Sequence, residues 1–291
     1  MAETRYYKVA GHRFSVTGEA EGFANYEPFG CDGGDTLFAL RIERGEAPSF
    51  SEEFRQEEEG EEIVCGMTAD GNSVFEFLRP VGSKRPKVER HCQKEVVGWL
   101  VSSEDYREGR LILTGKHEKF AIDNALMVMY ALATADKQTA LFHAAVVSCG
   151  GRGYMFLGSS GTGKSTHARL WLNHIEGSEL VNDDNPVVRD GVVYGSPWSG
   201  KTPCYRNVSY PLGGIVVLSQ APYNKIRRLK GIEAYIALMS SISGKRWDSK
   251  IADGLHETEN ALAQQIPVWH LECLPDEAAA KLCSDAIKST L

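Results

Sequence analysis

The chain is 291 residues long, 42% hydrophobic and 24% charged, with a formal net charge of −7. That length and composition suit a soluble globular protein of two domains, and the acidic balance argues against nucleic acid as a partner. No apolar run reaches the ~18 residues of a membrane span, and no signal-peptide core follows Met1, so a cytoplasmic protein with no membrane partner is expected. Cys31, Cys65, Cys92, Cys149, Cys204, Cys273 and Cys283 form no Cys-x-x-Cys pair, which points to reduced thiols and no zinc site.

Residues 1–115 read as β-rich. Tyr6 to Glu19 alternates around Val9, Phe14 and Val16, and Thr36 to Ile42 and Ile63 to Met67 are short apolar runs. Val74 to Leu78 follows the turn signal Asp70-Gly71-Asn72, and Arg110 to Thr114 gives one more strand. The acidic stretch from Glu52 to Glu62, with Glu57, Glu58, Glu59, Glu61 and Glu62 crowded together, reads as a solvated loop. From Phe120 to Thr134 the spacing becomes that of an apolar helix capped near Asp123. The domain boundary falls near residue 115, with helix 120–134 packing the second domain, 116–291.

Two apolar runs follow, Thr139 to Ser148 and Tyr154 to Leu157, with glycines between them, and they predict a β-hairpin. Its second strand runs into Gly158-Ser159-Ser160-Gly161-Thr162-Gly163-Lys164-Ser165-Thr166, which satisfies G-x-x-x-x-G-K-[ST], the Walker A or P-loop pattern. The chemistry requires this order. Glycines let successive N–H groups turn onto a phosphate, Lys164 reaches the β- and γ-phosphoryl oxygens, and the Ser165 hydroxyl completes the shell of a Mg²⁺ ion. The helical spacing of His167 to Leu172 supplies the helix N-terminus that favours an anion. Residues 158–166 are therefore the expected nucleotide-binding positions, with ATP and Mg²⁺ as ligands.

Glu179 to Asp184 reads as a short strand ending in two carboxylates. One could hold Mg²⁺, and the other could take a proton from an attacking hydroxyl. Val187-Val188 and Val192 to Tyr194 flank the Asp190-Gly191 turn as a second hairpin. Gly214 to Leu218 is a buried strand, and Asp276 to Ile287 a helix.

A strand bearing His143, a glycine hairpin, the 158–166 motif, a helix and then Val181-Asn182-Asp183-Asp184 together resemble the catalytic domain of HPr kinase/phosphorylase. They are similar, more distantly, to the nucleotide site of ATP-dependent phosphoenolpyruvate carboxykinase. The resemblance covers residues 139–220. It implies an α/β P-loop domain with a mixed sheet, preceded here by a smaller β-rich domain. It also implies transfer of the γ-phosphate of Mg-ATP to a hydroxyl, with Asp183 as base polarised by His143, Asp184 and Ser165 serving the metal, and a homo-oligomer. In the HPr kinases a glutamate usually follows the motif serine, where this chain has Thr166. Their Glu-x-Arg-Gly signature is replaced by Cys204-Tyr205-Arg206-Asn207, which keeps only the arginine. Arg206 and Lys164 are then the expected catalytic cations, with Lys245 and Arg246 as further candidates.

The acceptor stays open between a protein, a peptide and a metabolite. The segment 195–203 reads either as an acceptor loop, with Trp198 to stack and Lys201 to offset phosphate charge, or as a turn anchored by a buried Trp198. Two other readings compete with a kinase: a non-catalytic ATP-sensing module and a carboxykinase-like enzyme.

Overall fold

The computed structural model describes residues 3–58, 61–81, 93–200 and 202–289. Cys92, Lys201 and the Glu59-Gly60 part of the acidic cluster lie outside the described residues. The chain is α/β, with two mixed sheets and few helices, and divides into two compact units, Met1–Ala133 and Thr134–Leu291.

The first unit is built on one eight-stranded sheet. Its strands are β1 (Thr4–Val9), β2 (His12–Thr17), β3 (Phe38–Arg44), β4 (Ser51–Glu58), β5 (Glu61–Met67), β6 (Ser73–Pro80), β7 (Lys94–Ser102) and β8 (Glu108–Leu113). The order is β1-β2-β3-β8-β7-β6-β5-β4, parallel at β2–β3 and β3–β8 and antiparallel elsewhere. The alternation from Tyr6 to Glu19 is two strands rather than one, because Ala10 and Gly11 turn the chain with φ of 46° and 84°. The acidic stretch is a hairpin and not a loop: β4 pairs with β5, placing Glu57 opposite Glu62. Glu62 draws one cation from the stretch itself, Arg55, and one from β7, Lys94. It is buried between Arg55 and Lys94, whose Nζ donates to it at 2.7 Å. Burial opposes its charge, but the two cations outweigh that and hold its carboxyl below the usual range.

Helix α1 (Glu118–Thr134) falls, but for its last residue, in the first unit, so the boundary lies at 133/134 and not near residue 115. Its contacts with that unit explain why. The Tyr130 hydroxyl donates to Val9 O at 3.0 Å, and Asp123, inside the helix rather than capping it, accepts from Asn25 Nδ2 at 3.1 Å and the Tyr26 hydroxyl at 2.9 Å. Apolar spacing shows that a helix has a buried face, but not which sheet covers it.

The second unit holds β9 (Thr139–Leu141), β10 (Ala145–Cys149), β11 (Arg152–Leu157), α2 (Lys164–His174), β12 (Glu179–Asn182), β13 (Val187–Arg189), β14 (Val192–Tyr194), β15 (Ser209–Gln220), β16 (Lys225–Leu229), α3 (Ile232–Met239), α4 (Ser249–Gln265), β17 (Val268–Cys273) and α5 (Glu277–Lys288). Its nine strands run β12-β10-β11-β15-β14-β13-β9, with β17 on the later part of β15 and β16 on β17. The 190–191 hairpin is present as β13–β14 and the glycine hairpin as β10–β11. The run 139–148 is not one strand: it breaks into β9, which pairs with β13, and β10, and His143 lies in the bend between them rather than on a strand. Strand β11 lies parallel to β15, so Leu157 and Val217 are partners and both strands run toward the same edge.

Under α2 and α5 this sheet buries Tyr154, Phe156, Val216, Leu218 and Leu271 around the fully buried Trp171. The Trp171 ring lies 5.0 Å from that of Tyr154 and 5.6 Å from that of Phe156. This contact fixes α2 on the sheet and with it the position of the residues at its N-terminus. Trp171→Ala should therefore cost about 3–5 kcal/mol, seen as a lower midpoint for urea unfolding. A loss under about 1 kcal/mol would contradict this role.

Candidate functional site

Strand β11 ends at Leu157, and the chain then passes through Gly158, Gly161 and Gly163 with φ of 146°, 79° and 111°. An L side chain is strained at each of these angles, so the loop depends on glycine at these positions. The Thr162 N–H and hydroxyl both donate to Ser159 O, at 3.1 and 2.7 Å, and tighten the turn. Helix α2 starts directly at Lys164, and its N-cap, Gly163, provides no side chain to satisfy the first N–H groups. Lys164 is buried, and its ammonium donates to Gly158 O at 2.9 Å and Ser159 O at 3.4 Å, so it lies along the loop. Ser165 and Thr166 are half-buried in the first turn, while Ser159 and Ser160 are exposed.

The loop forms one wall of a cavity of about 520 Å³. The other walls are residues 217–220 at the end of β15, His143, and Ser240 and Ser241 just beyond α3. A volume of this order suits a cofactor-sized ligand. The wall opposite the loop is assembled by backbone pairing. His143 N–H donates to Ser241 O and Ala144 N–H to Asp184 O, each at 2.8 Å, so the 142–144 stretch lies between the carboxylate turn and the 241–243 segment.

The carboxylates follow the strand rather than ending it, since β12 stops at Asn182. They nevertheless occupy different surroundings. Asp183 is buried and accepts from Thr202 N–H at 3.1 Å, whereas Asp184 is half-exposed, with Oδ1 3.5 Å from His143 Nε2. The contact that forms is thus His143 with Asp184, where the resemblance implied His143 with Asp183. The reason is the turn, in which Asn182 Oδ1 accepts from the N–H groups of both Asp184 and Asn185, at 2.9 and 2.8 Å. This curls the backbone and directs the second carboxylate toward the histidine.

Asn182 also donates to Ser196 Oγ and Trp198 O, each at 3.1 Å, and is fully buried. The same residue therefore holds the 196–198 segment on the turn. Trp198 is buried there, as in the anchored reading of segment 195–203, and a Cβ placed on Gly200 would lie 3.0 Å from Asp183 O. Sequence reasoning missed the part played by Asn182, although an asparagine directly before Asp-Asp-Asn-Pro is a side-chain-capped turn signal. It also missed Ser240 and Ser241, for which the sequence offers no local signal, because they reach the site by long-range pairing.

Arg206 is not brought to this cluster. Its guanidinium donates to Leu180 O at 2.7 Å and the Glu179 carboxylate at 2.8 Å, at the start of β12 and so at the opposite end from Asp183. The Glu179 bond raises its pKa further above the ordinary guanidinium value. Arg246 is held by the buried Glu259 at 2.5 Å, and Lys245 is buried with its Nζ 6.0 Å from the Trp247 ring centre. Among the described residues, no group of three or more His, Cys, Asp or Glu side chains gathers as a metal cluster, and no helix is long and apolar enough to cross a membrane. No known protein family and no curated protein matches the chain.

One titrating group lies inside the glycine-loop helix. His167 is buried, accepts from Trp171 Nε1 at 3.3 Å, and has its pKa pushed down to about 4 by burial. Above the unfolded value of about 6.5 the ring is neutral in both states. As the pH falls from there toward 4, only the unfolded chain takes the proton, so stability is lost across that window by about 3 kcal/mol. His167→Gln should flatten the stability difference between pH 7 and pH 4 by that order, measured by urea unfolding. An unchanged slope would show that the imidazole is not held neutral.

Proposed function

We propose that the chain is an ATP-dependent phosphotransferase of the HPr-kinase-like type, acting on a hydroxyl acceptor. The observation that carries this reading is the glycine loop. Its residues 158–162 line a cavity shared with His143, the loop leads directly into the N-terminus of α2, and His143 lies 3.5 Å from Asp184. N–H groups of residues 158–166 other than that of Thr162, which closes the turn, and the Lys164 ammonium would hold the β- and γ-phosphates. The Ser165 hydroxyl and the Asp184 carboxylate would be the protein donors to Mg²⁺, a hard cation that takes one or two protein oxygens and completes its shell from phosphates and water. Such an ion neutralises charge on the transferring phosphoryl group.

In this reading Asp183 is the base. Thr202 N–H occupies one of its acceptor positions and orients the carboxylate, leaving others for an incoming hydroxyl. The acceptor oxygen forms a bond to the γ-phosphorus, the bond from that phosphorus to the bridging oxygen of ADP breaks, and the hydroxyl proton passes to Asp183. His143 holds the neighbouring carboxylate, Asp184, in place.

A second reading, the ATP-sensing module, is favoured by Arg206. The arginine expected to stabilise the transferring phosphoryl group is bound to Glu179 and Leu180 instead. The carboxykinase-like alternative needs a metal-ligand cluster, and nothing among the described residues supports one.

Transfer from γ-labelled ATP into fractionated cell extract separates these readings. Wild type should label one protein or metabolite, and Asp183→Asn should reduce transfer by roughly a hundredfold or more while still binding ATP. Full transfer by Asp183→Asn would remove the base assignment. Tight ATP binding by wild type with no label transferred would favour the sensor.

A further inference from the structure

The cavity has two unlike ends, and they give a bound nucleotide a direction. At one end His143 lies against Asp184, beside the turn that carries Asp183. At the other, the wall is Val217, Leu218, Ser219 and Gln220, with no cation among them. A phosphate accepts hydrogen bonds only and draws cations to itself, and these four side chains offer it none, while Ser219 offers a hydroxyl. Val216 and Leu218 belong to the core under α2, so alternation turns Val217 and Ser219 to the opposite face of β15.

Two contacts fix this second end against the loop. Gln220 Nε2 donates to Gly161 O at 3.2 Å, tying the end of β15 to the glycine turn. The Ser219 hydroxyl lies 2.9 Å from His270 Nε2, a residue of the neighbouring strand β17. A serine hydroxyl has one donor and two acceptor positions. If His270 donates to it, Ser219 keeps its own proton for a ligand. If His270 accepts, the Ser219 lone pairs remain for a ligand donor. A sugar hydroxyl donates and accepts equally well, and so matches either tautomer.

We infer that the Ser219–His270 pair at the end of β15 is a ribose subsite. The loop's ligand is then a ribonucleoside triphosphate whose sugar hydroxyls meet Ser219 and whose terminal phosphate points to the Asp183-Asp184 turn. This rests on the nucleotide reading of the glycine loop. The order of groups in the ligand agrees with the order of residues. The sugar is the first group beyond the α-phosphate, and Ser219 adjoins Gln220, the side chain that touches the loop. Ser219 would be the group that contacts the ligand, and His270 a positioning residue that fixes its hydroxyl.

Titration calorimetry of the full chain with Mg²⁺ and four probes tests this: ATP, 2′-deoxy-ATP, 3′-deoxy-ATP and inorganic tripolyphosphate. Wild type should prefer ATP to at least one deoxy form by about fivefold, the worth of one hydrogen bond. Ser219→Ala should weaken ATP by a similar factor, erase that preference and leave tripolyphosphate unchanged. The tripolyphosphate result also shows that the variant keeps its loop. Unchanged ATP affinity in Ser219→Ala overturns the inference. So does an equal loss for ATP and tripolyphosphate, which would mark a structural role. Equal losses for ATP and both deoxy forms would place the contact on the base and overturn it as well. Wild type binding neither ATP nor tripolyphosphate, or Lys164→Ala binding both as wild type does, would refute the nucleotide reading itself. If tripolyphosphate binds through Lys164 while Ser219→Ala changes nothing, only the ribose subsite fails.

Discussion

The carboxylate side of the site depends on the buried side chain of Asn182. Its carbonyl oxygen accepts two backbone N–H groups of the 183–185 turn, and its amide nitrogen donates to Ser196 and to Trp198 O. A fully buried amide is costly unless every group finds a partner, and here the partners come from two separate segments. The turn and the 196–198 segment are thus held by one residue. Thr202 N–H on Asp183 and the close approach of Gly200 to the turn follow from that arrangement. An apolar residue at 182 would leave both segments without this link.

The glycine-loop side depends on strand order. Strand β11 has β10 on one edge and β15 on the other. On the β10 side the chain leads back through Ala144 and His143 to Asp184 and Ser241. On the β15 side, parallel pairing brings residues 217–220 to the same edge of the sheet as Gly158. The glycine loop therefore lies between the end that holds His143 and Asp184 and the end formed by residues 217–220. The core around Trp171 keeps α2, and so the loop, fixed to this frame.

Much of this was legible in the sequence where the signal is local. The motif at 158–166 is contiguous, and its strand, turn and helix can be read from neighbouring residues. The same holds for the hairpins at 150–151 and 190–191, where the turn residues mark themselves. Signals that depend on long-range pairing were not legible. The acidic stretch pairs as a hairpin, and Lys94 reaches its Glu62 from β7. Helix α1 joined the first unit through Val9, Asn25 and Tyr26. His143 met Asp184 rather than Asp183 because Asn182 curls the turn, and Arg206 was drawn to Glu179, a partner that its own neighbourhood in sequence does not reveal.

The proposed function requires that the loop at the N-terminus of α2 bind nucleotide phosphates through Lys164. The most direct measurement is equilibrium titration of the intact chain with Mg-ATP, wild type against Lys164→Ala, with circular dichroism to show that both are folded. The account expects one saturable site in wild type, weakened about tenfold or more when the buried ammonium is removed, since a hydrogen bond to a charged group is worth ~1.5–3 kcal/mol. No saturable binding by folded wild type, or equal affinity in the two proteins, would contradict it.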